Sequence, residues 1–207
     1  MSGPEGGAAA FLDYHPQFLD REVADTLLRR LWRELDWSQP DIVLFGRRMK
    51  QPRLVAWYGD AGAAYSYSGL ALAPLPWHPA LQQLRQRIDS FTRLNFNAVL
   101  ANAYRDGRDS MGWHADDEPE LGPRPAVASL SLGAERRFRL RARQRSGDGQ
   151  RESLGLVLAH GSLLLMKPGC QERYQHALPR TRKPVDLRIN LTFRRVVSRV
   201  VPGQPPV

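Results

Sequence analysis

The sequence predicts an α+β fold that is mainly β, in which N-terminal helices support a sandwich or barrel of short strands. Apolar residues recur at helical spacing in two segments of the first half, whereas short runs of β-type residues dominate after Phe96. Glycines and prolines separate those runs at intervals that suit a sandwich or barrel. The 207-residue chain fits one domain, and nothing in it requires a second.

Two amphipathic helices are predicted before the strand-rich half. The first covers residues 21–35 and has Asp20 as its cap, since apolar residues recur along one face between arginines and acids. The second covers residues 79–92 and begins at Pro79, a favourable residue for a first helical turn. Both helices are expected to support a sheet.

Six strands are predicted after the second helix from residue type and alternation. Their ranges are 97–104, 126–132, 136–143, 154–158, 162–167 and 186–197. We expect a single domain over residues 11–199. Residues 1–10, which lack the pattern of a signal peptide, and residues 200–207 are predicted to be flexible tails.

The composition is basic, with 30 Lys and Arg against 21 Asp and Glu and a net charge of +9. The excess is almost entirely arginine, which forks onto phosphates and carboxylates, but many soluble proteins are basic, so charge alone does not identify a partner. The lone Cys170 excludes an internal disulfide, and no apolar stretch approaches the roughly 20 residues of a membrane span. We expect an intracellular, soluble monomer, cytoplasmic and nucleoid-associated in a bacterium or nuclear in a eukaryote.

His114, Asp116 and His176 form the candidate metal site. On a strand, residues two apart project to the same side, so His114 and Asp116 can reach one ion while Ala115 turns away. Such a triplet also arises by chance, and His176 would have to return the third ligand. Two imidazoles and one carboxylate cover one face of Fe(II) and leave three neighbouring positions open, as oxygen-activating enzymes require.

A polar strand face near the C-terminus forms a candidate anion clamp. Over residues 188–194 the even positions are Arg188, Asn190, Thr192 and Arg194, and the odd positions are apolar. A solvent-facing strand would show the same alternation. Two arginines with Asn and Thr, however, offer many donors suited to a dicarboxylate, so we expect the polar face to bind an anion and the apolar face to pack under the helices.

Several motifs together make residues 43–195 resemble the AlkB-type nucleic-acid dealkylating dioxygenases. They are Asn102-Ala103-Tyr104 with Asp106-Gly107, His114-Ala115-Asp116-Asp117-Glu118, Ala159-His160-Gly161-Ser162-Leu163, His176-Ala177-Leu178-Pro179 and Arg188-Ile189-Asn190-Leu191-Thr192-Phe193-Arg194. The resemblance implies a double-stranded β-helix, or jelly roll, over about residues 97–197 and a nucleotide-recognition lid over about residues 40–75. It also implies Fe(II), with 2-oxoglutarate and O2 as cosubstrates.

The resemblance assigns roles to the candidate site residues. His114, Asp116 and His176 would hold iron, Arg188 would pair with the distal carboxylate of 2-oxoglutarate, and Arg194 would lie near its metal-bound carboxylate. Further cofactor contacts would come from Asn102, Tyr104, Asn190 and Thr192. The implied reaction hydroxylates an N-linked methyl group, and the unstable hemiaminal releases formaldehyde and the unmodified base, with succinate and CO2 as the other products.

The residues predicted to contact the base follow from the need to extrude it from a duplex. Tyr65 and Tyr67 would sandwich the flipped base with His114, unless they are half-buried strand residues. Asp117, counted with the iron ligands as catalytic, and Glu118 would accept hydrogen bonds from the exocyclic amine and favour a cationic lesion. The alternative for the two acids is a solvated turn.

Two further groups are predicted to contact the nucleic acid strands. Leu44, Phe45 and Gly46 resemble the intercalating finger of the duplex-specific branch, although Phe45 would otherwise be a core residue. Arg53 would contact the strand nearby. The second group lies on a predicted hairpin and its tip, where alternating arginines would contact phosphates. The alternative is a solvated edge strand that its charges protect from pairing. The residues are Arg139, Arg141, Arg143, Arg145 and Gly147.

The substrate implied is alkylated DNA carrying N1-methyladenine or N3-methylcytosine, in duplex form, with single-stranded DNA or RNA as further substrates. A 2-oxoglutarate oxygenase acting on RNA, protein or a small molecule would keep the triad and Arg188 but would not need Phe45, Tyr67 and the arginine hairpin together. A catalytically silent DNA-binding module would have no need of three intact iron ligands.

Overall fold

The computed structural model describes residues 7–44, 47–63, 65–67, 70–72 and 74–197. Within that part, short antiparallel strands are the main element and helices are few. In chain order the elements are β1 (Leu12–His15), α1 (Arg21–Glu34), β2 (Asp41–Leu44), β3 (Arg47–Lys50), β4 (Leu54–Gly59), β5 (Tyr65–Tyr67), β6 (Leu70–Leu72), α2 (Pro79–Thr92), β7 (Ala98–Tyr104), β8 (Met111–His114), β9 (Val127–Gly133), β10 (Arg136–Ala142), β11 (Ser153–Leu158), β12 (Ser162–Met166), α3 (Cys170–Arg173), β13 (Tyr174–Leu178) and β14 (Arg188–Arg194).

The strands form two main sheets. The major sheet has the order β1-β12-β9-β14-β7-β4, and the minor sheet has the order β11-β10-β13-β8. Neighbours that are distant in sequence, such as β1 with β12 and β14 with both β9 and β7, pair antiparallel. This crossed arrangement of two antiparallel sheets confirms the predicted jelly-roll core.

The two long helices cover the outer face of the major sheet. The apolar residues Leu31 of α1, Leu81 and Ile88 of α2, and Leu191 and Phe193 of β14 share one buried cluster. A second cluster fills the space between the sheets with residues of β9, β10, β11 and β12. The helices therefore fix the major sheet from outside and leave its inner face available for polar residues.

Both helices begin where the sequence predicts. Asp20 occupies the N-cap position of α1 but makes no side-chain capping bond, whereas the His78 side chain accepts the Ala80 amide at the start of α2. The six predicted strands are present with ends shifted by at most two residues, except that the last is confined to Arg188–Arg194.

Two features of the structure bear on the predicted boundaries. Ala8 is buried and lies in a 3-10 turn, so the fold begins before the predicted domain start at residue 11. Within the predicted lid, β4 is a buried strand of the major sheet, which leaves the β2–β3 and β5–β6 hairpins as lid candidates. The sequence analysis predicted no strand at β1, β2, β3, β4 or β13; of these, β4 and β13 do not alternate regularly between polar and apolar residues.

No helix in the described ranges is long and apolar enough to cross a membrane.

Candidate metal and cosubstrate site

The polar face of β14 lies between the two sheets. All seven residues of the strand are buried, because β14 pairs with β9 and β7 at its edges, the helices cover one face and the minor sheet encloses the other. Arg188, Asn190, Thr192 and Arg194 line the inner pocket, and the alternating apolar residues pack against the helices. The predicted alternation of β14 is therefore confirmed, with the polar side turned inward.

The three candidate metal ligands come together at the minor sheet. His114 ends β8 and is paired in register with His176 of β13. One ligand atom from each of His114, Asp116 and His176 lies within 4.8 Å of the others. Asp116 lies beyond the end of β8, so the strand geometry expected from the sequence applies to His114 alone.

Asp116 is instead placed by side-chain contacts. Its amide donates to Gln171 Oε1 at 3.1 Å, and its carboxylate oxygen Oδ1 accepts from Arg194 Nη2 at 2.7 Å. The second oxygen, Oδ2, is buried, has no hydrogen-bond partner among the described residues and lies 3.9 Å from His176 Nε2. One oxygen is thus fixed by Arg194 and the other faces the histidines.

The electrostatics of this group suit a cation. Burial lowers the pKa of His114 and lowers the pKa of His176 to about 3, so both imidazoles are neutral at pH 7. Burial raises the pKa of Asp116, but the Arg194 guanidinium, and the two histidines once they are protonated at low pH, outweigh it and bring the pKa to about 2. Two neutral imidazoles and one carboxylate are the protonation states that metal ligands require.

The orientation of His114 selects its ligand atom. Nδ1 lies 2.9 Å from the Gly112 carbonyl oxygen, which can only accept a hydrogen bond. The proton is therefore on Nδ1, and the Nε2 lone pair is left for a metal. Together with the free Asp116 Oδ2, this donor set fits Fe(II) in a two-histidine, one-carboxylate site.

Arg188 is a buried cation that lines the same pocket as the two histidines. Its side chain is 2% exposed, and no carboxylate of the described residues pairs with it. Nη2 donates to Ser131 Oγ at 2.9 Å, and the guanidinium carbon lies 5.3 Å from the centre of the Tyr104 ring. Burial lowers the pKa of Arg188 to about 10, so an anion at this end of the pocket would be stabilised.

The other predicted cosubstrate residues line the same pocket and bond to one another. Asn190 Nδ2 donates to Ser129 Oγ at 2.8 Å, and Thr192 Oγ1 donates to Asn190 Oδ1 at 3.2 Å. Asn102 and Tyr104 project from the neighbouring β7. These bonds fix the side chains before any ligand binds.

Arg53 is placed differently from its predicted contact with the outer strand. It is 3% exposed, and its Nε donates to Asn102 Oδ1 at 2.8 Å. Its charge also contributes to the lowered pKa of His114. Arg53 is therefore buried next to Asn102, a residue that lines the pocket, and its sequence neighbours Pro52 and Leu54 do not signal this position.

Asp117 and Glu118 follow the candidate ligand Asp116 in the sequence, and Asp117 already has a partner. Arg143 Nη1 donates to Asp117 Oδ2 at 2.5 Å and to the Gln171 carbonyl oxygen at 3.1 Å. Of the aromatic candidates, the backbones of Tyr65 and Tyr67 form β5, paired with β6. Phe45 and Gly46 lie outside the described residues, and only the backbone of Leu44 is described.

The predicted arginine hairpin is present as β10 and β11. Arg139 and Arg141 lie over the outer face of Trp113, with guanidinium carbons 5.8 and 4.1 Å from the ring centre. Arg141 also donates to Gln175 Oε1. In the connecting turn, which contains Gly147, Arg145 is exposed and donates to the Gly149 carbonyl oxygen.

A family model described as the 2OG-Fe(II) oxygenase superfamily matches residues 11–194. A mouse protein named DNA oxidative demethylase ALKBH2 is 41% identical over 180 residues, which cover 84% of this chain and 75% of that protein. The chain belongs to the AlkB family of 2OG-Fe(II) oxygenases. Fe(II), 2-oxoglutarate and O2 are the cofactor and cosubstrates of this family, and the pocket fits them.

Other members of the AlkB family and its superfamily extend the comparison. The human alpha-ketoglutarate-dependent dioxygenase alkB homolog 3 is 41% identical over 187 residues, covering 88% of this chain. The chain spans 65% of the length of that relative, just under two thirds. A Burkholderia pseudomallei oxidoreductase of the 2OG-Fe(II) oxygenase family superposes with a TM-score of 0.61 at 15% identity, covering 96% of this chain and 97% of the other, which shows the shared fold.

Proposed function

We propose that this protein is an Fe(II)- and 2-oxoglutarate-dependent demethylase of alkylated nucleic acid bases. The proposed substrates are N1-methyladenine and N3-methylcytosine in DNA, with duplex DNA preferred. The products would be the unmodified base, formaldehyde, succinate and CO2. Relatives named DNA oxidative demethylase and alkB homolog 3 support this class of reaction.

The observation that carries the proposal is the buried Arg188 opposite the metal ligands. A guanidinium that is 2% exposed and has no carboxylate partner in the described chain favours an anionic ligand. A dicarboxylate can place one carboxylate on Arg188 and the other at the metal near Arg194. 2-Oxoglutarate is a dicarboxylate of this form.

In the proposed reaction, Fe(II), 2-oxoglutarate and O2 supply the oxidising power that hydroxylates the N-methyl carbon. The protein residues orient and enclose these components. His114, Asp116 and His176 would hold the iron, Arg188 and Tyr104 the distal carboxylate, and the preformed bonds of Asn190 and Thr192 would limit rearrangement on binding. The hydroxylated base would then lose formaldehyde without further help from the protein.

Base recognition is proposed for the acidic residues next to the metal site. Asp117 follows the iron ligand directly, and its carboxylate would accept from the exocyclic amine of adenine or cytosine. Glu118 would add negative charge that favours the cationic methylated base over the neutral base. Tyr65 and Tyr67 are proposed to stack on the base, and Leu44, Phe45 and Gly46 to fill the gap that it leaves in the duplex.

Strand binding is proposed for the outer face of the minor sheet. Arg139 is exposed there over Trp113, and Arg141 and Arg145 follow it along the hairpin towards the turn at Gly147. These guanidinium groups are suited to phosphates. For Arg53, the bond from its buried side chain to Asn102 supports a role in holding Asn102 and not in binding the strand.

The test is direct demethylation of defined oligonucleotides. Purified protein, Fe(II) and 2-oxoglutarate are incubated with matched single-stranded DNA, duplex DNA and RNA carrying N3-methylcytosine, and the loss of the methyl group is followed by mass spectrometry. We expect demethylation that is fastest on duplex DNA and absent in His114→Ala. Consumption of 2-oxoglutarate without demethylation of any of the three would contradict the proposed substrate class.

A further inference from the structure

Two successive carboxylates, Asp116 and Asp117, follow β8 without being part of it. The strand ends at His114, and residues 115–118 form no ladder pairing. Strand hydrogen bonds therefore cannot orient these carboxylates, although one must face the metal and the other the substrate pocket. Their orientation has to come from side chains elsewhere in the chain.

Gln171 provides contacts to this peptide from α3. The residue is 0% exposed, and its side-chain oxygen Oε1 accepts the Asp116 amide proton at 3.1 Å. Its Nε2 group lies 3.5 Å from Met166 Sδ in the pocket wall. A buried amide with both ends engaged is held in one orientation, so it can fix the peptide of Asp116.

Arg143 extends the same connection to Asp117. Its Nη1 group donates both to the backbone carbonyl of Gln171 and to the Asp117 carboxylate, and its own amide donates to the Arg173 carbonyl oxygen at 2.8 Å. Both ends of Arg143 are thus anchored on α3. The helix leads directly into β13, which carries His176.

We propose that Gln171 is a positioning residue for the iron ligand Asp116, and that Arg143 is a positioning residue for the base-recognition carboxylate Asp117. The two roles use different atoms, because Asp116 contacts the Gln171 side chain whereas Arg143 contacts its backbone carbonyl. The part that concerns Arg143 and Asp117, the substrate half, rests on the proposed function. The part that concerns Gln171 and Asp116, the metal half, does not. Each side chain can therefore be changed without removing the other contact.

The metal half is tested without nucleic acid. Gln171→Met keeps the length of the side chain but removes the acceptor for the Asp116 amide. We expect Mn(II) to bind at least about tenfold more weakly, as for other residues that orient metal ligands, and the visible spectrum of bound Co(II) to change. Glu172→Gln, an exposed change on the same helix, is the matched control and should leave both readouts unchanged.

Loss of thermal stability in Gln171→Met with unchanged Mn(II) affinity and Co(II) spectrum would overturn this half, because it would show a purely structural role. A second measurement does not depend on the variant folding. In the unmutated protein, the Asp116 amide should exchange its hydrogen slowly although it lies beyond β8. Exchange as fast as in an unfolded peptide would also overturn the contact.

The substrate half is tested with Arg143→Gln, with Arg151→Gln as the matched loss of an exposed charge near the same hairpin. We expect Arg143→Gln to bind Mn(II) normally but to lose about tenfold of the preference for a methylated over an unmethylated oligonucleotide. If Arg143→Gln instead weakens the affinity for both oligonucleotides equally and makes binding less dependent on salt, Arg143 contacts a phosphate and does not position Asp117. If the unmutated protein shows no such preference, the proposed function fails while the metal half stands.

Discussion

Replacement of Arg188 by methionine is expected to make the ligand-free protein more stable and at the same time to abolish its response to 2-oxoglutarate. The charged side chain is buried without a carboxylate partner in the described structure. Methionine has a similar length and no charge, so it can fill the same space. A residue kept for folding would give the opposite result.

The size of the effect follows from the contacts of Arg188. Burial lowers its pKa from 12.5 to about 10, which corresponds to about 3 kcal/mol of cost for the charged form. The variant loses the hydrogen bond to Ser131, worth about 1 kcal/mol, and the contact with Tyr104, worth about 0.5 to 1 kcal/mol. We therefore expect Arg188→Met to raise the free energy of unfolding by about 1 kcal/mol.

The assay is urea unfolding followed by circular dichroism, with Mn(II) present and with or without 2-oxoglutarate. At a 2-oxoglutarate concentration 100 times its Kd, the free energy of unfolding of the unmutated protein should rise by about 2.7 kcal/mol. Most of that gain should be absent in Arg188→Met, whereas Arg137→Met, on the exposed face of β10, should keep it. The same gain in both variants, or a ligand-free Arg188→Met less stable than the unmutated protein by about 2 kcal/mol, would refute the reasoning.

Three further outcomes are expected. Burial raises the pKa of Asp109, but hydrogen bonds from Arg105 lower it by more and hold it below its ordinary value. Asp109→Asn should therefore lower the free energy of unfolding at pH 7 by about 1 kcal/mol. In urea unfolding, that difference should shrink as the pH falls below about 4, because the unmutated carboxylate is then protonated and its contribution is lost. Burial raises the pKa of the Cys170 thiol to about 12, so iodoacetamide should modify it only after unfolding, and rapid labelling of the native protein would contradict the placement of α3. Phe45→Ala should impair demethylation of duplex DNA more than of single strands, and an equal loss on both would remove the finger prediction.

The parts of the site that could be predicted from the sequence are those encoded by local periodicity. In β14 the alternation of Arg188, Asn190, Thr192 and Arg194 with apolar residues specifies which face is buried against the helices. Alternation alone does not show whether the polar face meets solvent or lines a pocket. The pocket was predicted because two arginines on one strand face are suited to binding an anion. The structure agrees because the helices cover the apolar face of β14 and the minor sheet encloses its polar face.

The contacts that could not be predicted join residues far apart in the chain. Arg53 bonds to Asn102 across 49 positions, and Gln171 bonds to Asp116 across 55. No local pattern marks either residue, because their neighbours carry no periodic signal for the pocket. The same limit explains why Arg143 was predicted to meet phosphates while the structure places it on Asp117.

The ion pair between Arg194 and Asp116 shows how the two halves of the site depend on each other. Arg194 belongs to the major sheet and Asp116 follows the minor sheet, so their 2.7 Å contact joins the cosubstrate side to the metal side. A cation that bound Asp116 Oδ2 would leave Oδ1 on Arg194, and an anion that bound near Arg194 would meet a guanidinium already held by Asp116. Because each ligand would bind beside a group that the other stabilises, metal and 2-oxoglutarate should bind cooperatively. By linkage, the factor by which Mn(II) tightens 2-oxoglutarate binding must equal the factor by which 2-oxoglutarate tightens Mn(II) binding, and calorimetric titrations in both orders can check that equality.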